Sequence, residues 1–318
     1  MARALTLVAS LVSALVVLTL VQTEARAHSS LTSSPGPSAS PTAAASPSPL
    51  PSPSPTPIPI PSAAPKAPTF ATLLAELESL GSASGSGLAV SLLEYGSLSA
   101  GSFALNGDQP WTAASTYKLA LLMAEAEGVA GGTLQGSDVL CYQEQDWEDG
   151  YFDDYEEGAC YTRSELAQRV GHYSDNTAAH ILVRYLGGSD VLNGYARVHG
   201  AVESAFYVGN TTTSNDLARL WQSELLGQAG GTAAQQWLYP LLTNTRYEAG
   251  VPAGVPRGVT VVHKIGQVDS VVNDAALVVN APHGTYVLVV MTDGTGGSAG
   301  WQLVARVSAL VWLFEASR

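Results

Sequence analysis

The chain is predicted to fold as an α+β domain, an antiparallel sheet flanked by N- and C-terminal helices, with an all-helical lobe inserted between its strands. Three observations predict it. Strand patterns lie at both ends of the folded part, Gly87 to Tyr95 with a hairpin partner Ser99 to Leu105, and Gly258 to Lys264, Asp274 to Val279 and Thr285 to Thr292. The middle third reads as helices alone. Apolar helices then bracket the whole, one from Phe70 to Leu77 ended by Gly81 and one from Trp301 to Phe314.

In chain order, Met1-Ala2-Arg3 is a basic opening to an apolar run from Ala4 to Val21, and Ala25-Arg26-Ala27 is a small-x-small site. Residues 1–27 therefore read as an export signal cleaved before His28, although the run is also just long enough to be retained as an anchor. From His28 to Pro68 the chain is Pro, Ser, Ala and Thr, near-alternating in proline from Pro47 to Pro61. Such a segment is an extended polyproline II spacer and builds no core. Residues 69–318 remain as one folded domain, expected to be a monomer in the secreted or cell-envelope compartment. Its helical middle is read as Thr162 to Val170, with Thr162 and Glu165 at capping-box spacing, Asn176 to Leu186 stopped by Gly187-Gly188, Asn215 to Leu225, and Ala233 to Leu242.

From Thr69 onward Lys and Arg number 11 against 26 Asp and Glu, a balance of −15. That excludes nucleic acid and an anionic membrane surface as natural partners. No clustered His/Cys set or H-E-x-x-H motif is present, so no metal and no cofactor are expected. Cys141 and Cys160 are the only cysteines, and export favours a disulfide between them. The loop so closed carries eight carboxylates (Glu144, Asp146, Glu148, Asp149, Asp153, Asp154, Glu156 and Glu157) interleaved with Trp147, Tyr151, Phe152 and Tyr155. It reads first as a solvated, disulfide-pinned loop, and second as a site for Ca²⁺ or a cationic substrate group.

The chemistry centres on Ala113-Ala114-Ser115-Thr116-Tyr117-Lys118, which opens the apolar run Leu119 to Ala124. Ser115 is placed at a helix N-terminus, with Lys118 one turn on and on the same face. A serine hydroxyl needs a base, and a desolvated lysine can be one. The whole chain has three lysines, Lys66, Lys118 and Lys264, and otherwise uses arginine, which cannot give up its proton. Ser174-Asp175-Asn176 follows between two helices, and by itself reads as an N-cap; Lys264-Ile265-Gly266 follows at a strand end. His263 points to the opposite face of that strand and is read as structural, as are Asp274 and His172.

With all three motifs in this order, the domain resembles the penicillin-recognising serine hydrolases, most closely the class A β-lactamase family, and this resemblance implies a β-lactamase/transpeptidase-like fold. It extends to Ser174-Asp175-Asn176-Thr177-Ala178-Ala179, the Gly187-Gly188 stop, Thr211-Thr212-Thr213 opening a helix and Val262-His263-Lys264. The resemblance implies that Ser115 attacks a carbonyl and is acylated while Lys118 takes its proton. Ser174 would relay a proton to the departing nitrogen, and Asn176 would position Lys118 and the substrate amide. Lys264 would hold Ser174 and attract a substrate carboxylate, while Gly266 allows close approach and the N–H groups of Ser115 and Gln267 form the oxyanion hole. Tyr173 is expected to line the cleft.

Two departures qualify this. The loop that carries the deacylating glutamate in the family is missing from the Gly200–Asn210 connection, where Glu203 stands too early to replace it. Ile265 stands where a hydroxyl residue normally binds the β-lactam carboxylate. The expectation is therefore an acyl-Ser115 hydrolase for β-lactams or a related amide or ester, with doubtful deacylation unless the acidic loop supplies a base. The alternatives are a D,D-peptidase-like peptidoglycan hydrolase, which suits a wall-spanning linker, and a penicillin or wall-fragment binding module without turnover.

Overall fold

The computed structural model describes residues 67–96 and 101–318; the signal and nearly all of the linker lie outside the described residues. Helix α1 (Phe70–Ser84) starts at Thr69, whose hydroxyl accepts the N–H of Thr72, and ends on Gly85 at φ 68°. The predicted stop at Gly81 is not used. The helix runs through Gly81, which is buried in ordinary contact with Leu88, and the left-handed Gly85 supplies the stop instead.

Strands β1 (Gly87–Tyr95) and β2 (Ser102–Leu105) form the N-terminal hairpin. A two-residue strand β3 (Trp111–Thr112) leads into a 3₁₀ turn, Ala114–Tyr117, and helix α2 (Lys118–Ala130). Short strands β4 (Val139–Cys141) and β5 (Cys160–Thr162) pair with Cys141 opposite Cys160, and the disulfide is formed. The helical lobe continues with α3 (Arg163–His172), α4 (Asn176–Leu186) and α5 (Ser189–Val198). Strand β6 (Thr211–Thr212) pairs with β3 ahead of α6 (Ser214–Leu225) and α7 (Gly231–Leu238). Then come β7 (Thr260–Val268), β8 (Val271–Ala281), β9 (Gly284–Asp293) and α8 (Gly297–Ala316).

The main sheet is antiparallel in the order β2-β1-β9-β8-β7, so β7, with Lys264, is an edge strand. Both faces are covered. Val287, Val289 and Met291 of β9 join the helical lobe around Leu121, Leu182 and Trp221, whereas Leu288 and Val290 face Leu73 and Leu77 of α1 and Val304 and Val307 of α8. Alternate side chains thus enter opposite cores, which is why the strand reads as a continuous apolar run.

Some boundaries differ from the sequence reading, each for a local reason. The predicted helix to Leu242 stops at Leu238 and tightens into a 3₁₀ turn, because Pro240 has no N–H to continue it. Asp274 does not open its strand but sits four residues into β8, paired with Ile265. Helix α5 was not anticipated: the Gly187-Gly188 stop, both at positive φ, turns the chain without ending the helical lobe.

The acidic loop is solvated and disulfide-pinned as first read, with seven of its eight carboxylates exposed, and it is also docked by specific partners. Asp146 is buried and pairs with Arg184, Asp154 pairs with Arg169, and Glu148 exchanges backbone bonds with the Thr177 hydroxyl. Removing the disulfide, which closes 19 residues, is expected to cost about 3 kcal/mol by loop-closure entropy. Thermal unfolding of a Cys141→Ser/Cys160→Ser variant should show that loss. The ion pairs should nevertheless keep the loop docked, with a near-native near-UV circular dichroism spectrum.

Candidate active site

Ser115 does not sit on the α-helix proper but in the 3₁₀ turn before it, and α2 begins at Lys118. The turn is entered through Ala114 at φ 48°, a left-handed conformation that costs an alanine on the order of 1 kcal/mol and that neighbours must hold. Three bonds do so: Asn210 Nδ2 donates to the Ala114 carbonyl at 3.1 Å, Ala113 N–H donates to Asn210 at 2.8 Å, and Asn273 Nδ2 donates to the Thr112 carbonyl at 2.9 Å. Ser174 is likewise held at φ 58°.

Both domain lysines are buried at this point. Lys118 Nζ lies 2.6 Å from the Ser174 carbonyl, 2.6 Å from Asn176 Oδ1 and 3.0 Å from Ser115 Oγ. A neutral lysine has two N–H bonds, which the two short contacts use. Its lone pair is then left for the Ser115 O–H. Burial lowers the Lys118 pKa to about 7, opposed by the charges of Asp175 and Glu148, so the neutral form is accessible near neutral pH. Lys264 Nζ donates to Ser174 Oγ at 2.9 Å and to the Ile265 carbonyl at 3.0 Å. Burial, and then the neighbouring Lys118, push its pKa well down.

Asp175 organises the wall opposite β7. Its buried carboxylate caps α4 by accepting Ala178 N–H, and also accepts Tyr151 N–H, Phe152 N–H and the Tyr155 hydroxyl, at 2.6 to 3.0 Å. The N-cap reading of the motif was therefore correct for Asp175, and the same side chain clamps the acidic loop onto the cleft. Asn176 Nδ2 donates to the Asp149 carbonyl at 2.7 Å, so this loop also engages the amide expected to meet substrate.

The resulting cleft, about 360 Å³, brings together Ser115, Tyr173, Ser174, Asn176 and Gln267 as expected, and adds Tyr151 and Tyr247. Gly266 explains how close the edge strand comes: a Cβ there would lie 2.7 Å from the Ala113 carbonyl oxygen and 3.0 Å from Ser115 N. Ile265 is buried and brings no hydroxyl. Glu203 is exposed, and its N–H donates to Asp216, so it does not join the cleft. Asp175, Asn210, Asn273 and Tyr247 were not singled out for the site by sequence. Asp175 carried a signal, lying inside a motif already noted, whereas the other three reach the site only through tertiary contacts.

A family model described as the β-lactamase enzyme family matches residues 72–314. The chain belongs to that family. Among curated β-lactamases, CTX-M-8 of Citrobacter amalonaticus is 31% identical over 148 residues, which is 41% of this chain and 50% of the relative. Toho-1 of Escherichia coli is 31% identical over 145 residues, 40% of this chain and 49% of the relative. The chain spans about half the length of the curated β-lactamases it matches. Among solved structures, PBP-A superposes with a TM-score of 0.72 at 25% identity, over 78% of this chain and 97% of PBP-A. An ancestral class A β-lactamase gives 0.68 at 26% identity, over 75% and 98%. The β-lactamase-family fold is thus covered nearly end to end, with its antiparallel sheet and helical lobe.

Proposed function

We propose that the domain is an extracytoplasmic serine acyl-transfer enzyme that forms an acyl-Ser115 intermediate with β-lactams or a related amide or ester and hydrolyses it slowly. The observation that carries this reading is the chain Ser115–Lys118 and Ser174–Lys264, in which two buried amines each meet a serine hydroxyl at 3.0 and 2.9 Å. Neutral Lys118 takes the Ser115 proton as Oγ bonds to the carbonyl carbon. The developing oxyanion is received by the N–H groups of Ser115 and Gln267. As the C–N bond breaks, Ser174 gives its proton to the departing nitrogen and recovers one through Lys264. Water must then attack the ester, and the short Gly200–Asn210 connection offers only the exposed Glu203 as a carboxylate. In this reading Lys118 serves as the base for both steps, with the acidic loop docked beside it as a nearby source of carboxylates.

A D,D-peptidase-like activity on wall peptides is the second reading. It is favoured by Ile265, which removes a hydroxyl suited to a β-lactam carboxylate. The likeness to PBP-A, a point mutant of which forms an acyl-enzyme with penicillin G, supports the acylation step that both readings share. The Pro-rich segment suits a wall-spanning tether. Intact-mass spectrometry of residues 69–318 with benzylpenicillin tests the proposal. A benzylpenicilloyl adduct is expected on wild type and absent from Ser115→Ala, and it should persist through a long chase. Rapid decay would show a deacylating base more effective than Lys118. An equal adduct on Ser115→Ala would remove Ser115 from the mechanism.

A further inference from the structure

The face of β7 turned away from Ser174 carries a second constellation that the acyl-transfer chemistry does not use. His263 is fully buried between two carboxylates from different parts of the chain. Its Nδ1 lies 2.9 Å from Asp274 Oδ1, on β8, and its Nε2 lies 3.2 Å from Glu248 Oε1, on the segment that follows α7. A neutral imidazole has one N–H and cannot donate to both, whereas an imidazolium can. The same two carboxylates also hold the 245–251 segment. Glu248 Oε1 accepts Thr245 N–H at 2.6 Å and the Thr245 hydroxyl at 3.0 Å, and Thr245 Oγ1 accepts Tyr247 N–H at 3.2 Å. Asp274 Oδ2 accepts Val251 N–H at 2.8 Å, and the chain crosses that carboxylate at Gly250, where a Cβ would lie 2.3 Å from the same oxygen. Arg246 N–H donates to the His172 carbonyl at 2.9 Å, beside Tyr173.

Residues 245–251 are therefore held at Thr245 by Glu248 and at Val251 by Asp274, and one histidine lies between those two carboxylates. The side chain between those pins is Tyr247, which lines the cleft together with Tyr151, Tyr173 and Ser174. We propose that Tyr247 is a specificity-determining residue for the leaving-group side of the cleft, and that His263 is the positioning residue that holds it there through Glu248 and Asp274. This inference rests on the acyl-Ser115 reading above, because it is Ser174 that marks the leaving-group side.

The titratable groups facing His263 are Asp274 from β8 and Glu248 from the 245–251 segment. Lys264, next along β7, turns to the other face, and α8 presents uncharged Trp301 near Gly250. Although burial alone would lower it, these two carboxylates raise the His263 pKa to about 9. A raised value means that the protonated clamp stabilises the folded segment at neutral pH and below, and that this contribution is lost as pH rises through about 9.

The test separates binding from chemistry. For residues 69–318, the dissociation constant before acylation and the limiting acylation rate are measured with benzylpenicillin from pH 7 to 10, for wild type, Tyr247→Ala, Glu248→Gln and His263→Gln. Tyr247→Ala and Glu248→Gln should weaken the pre-acylation complex about tenfold at pH 7 and leave the limiting rate within about threefold. Wild-type binding should weaken above pH 9, and Glu248→Gln, already weak, should show no such limb. Hydrogen exchange of the 245–251 amides should be faster in Glu248→Gln. That variant keeps the Asp274 pair, so it stays informative if His263→Gln does not fold. Unchanged dissociation constants in variants that acylate normally would overturn this inference alone. A wild type that forms no adduct would overturn the acyl-Ser115 reading and the specificity role with it.

Discussion

Replacing Lys118 with alanine is expected to slow acylation by benzylpenicillin by about 10²- to 10⁴-fold, the range typical of losing a positioned general base. The fold should survive, because alanine suits the first turn of α2. In wild type the rate should rise with pH through about 7, because the neutral amine is the competent form and burial places the Lys118 pKa there. The sign can be tested a second way. Glu148 raises the Lys118 pKa, so Glu148→Gln should move that rising limb to lower pH. Intact-mass time courses over pH 5 to 9 on the three proteins check all of this. A wild-type rate that does not change across that range, with Lys118→Ala near wild type, would remove Lys118 as the base.

Gly266→Ala is expected to cost roughly 10²- to 10³-fold in acylation, comparable to losing an oxyanion-hole donor. The added methyl would stand 2.7 Å from the Ala113 carbonyl oxygen and 2.9 Å from Thr116 N, both backbone atoms that cannot rotate away. The strand must back off from the Ser115 turn, and Gln267 N–H retreats with it. Because β7 is an edge strand paired only to β8, it can shift without unravelling the sheet. The circular dichroism spectrum should therefore stay native while the acylation rate falls. Full activity in this variant would mean that the oxyanion is not held between Ser115 and this strand.

The three motifs were legible because each pairs a reactive residue with a local backbone signal: a serine before an apolar helix, a tripeptide at an N-cap, and a lysine at a strand end. Strands β1 and β7 to β9 were legible from their apolar runs, since two cores consume alternate side chains. Asn273 and Asn210 were not, because their role depends on the Thr112–Ala114 backbone passing within hydrogen-bond reach. Tyr247 was hidden for a related reason. Its place over the cleft follows from Glu248 finding His263, a pairing set by tertiary structure and not by spacing. The docking of the acidic loop was hidden because its partners, Arg169 and Arg184, lie on separate helices.

The scarcity of lysine has a practical consequence for handling the protein. From Thr69 to Arg318 the only side-chain amines are those of Lys118 and Lys264, and both are sealed from solvent. Amine-directed crosslinkers, dyes and immobilisation resins will find no side-chain anchor on the native domain surface. Label uptake by a chain whose N-terminus is blocked then becomes a gauge of how often the interior opens to solvent.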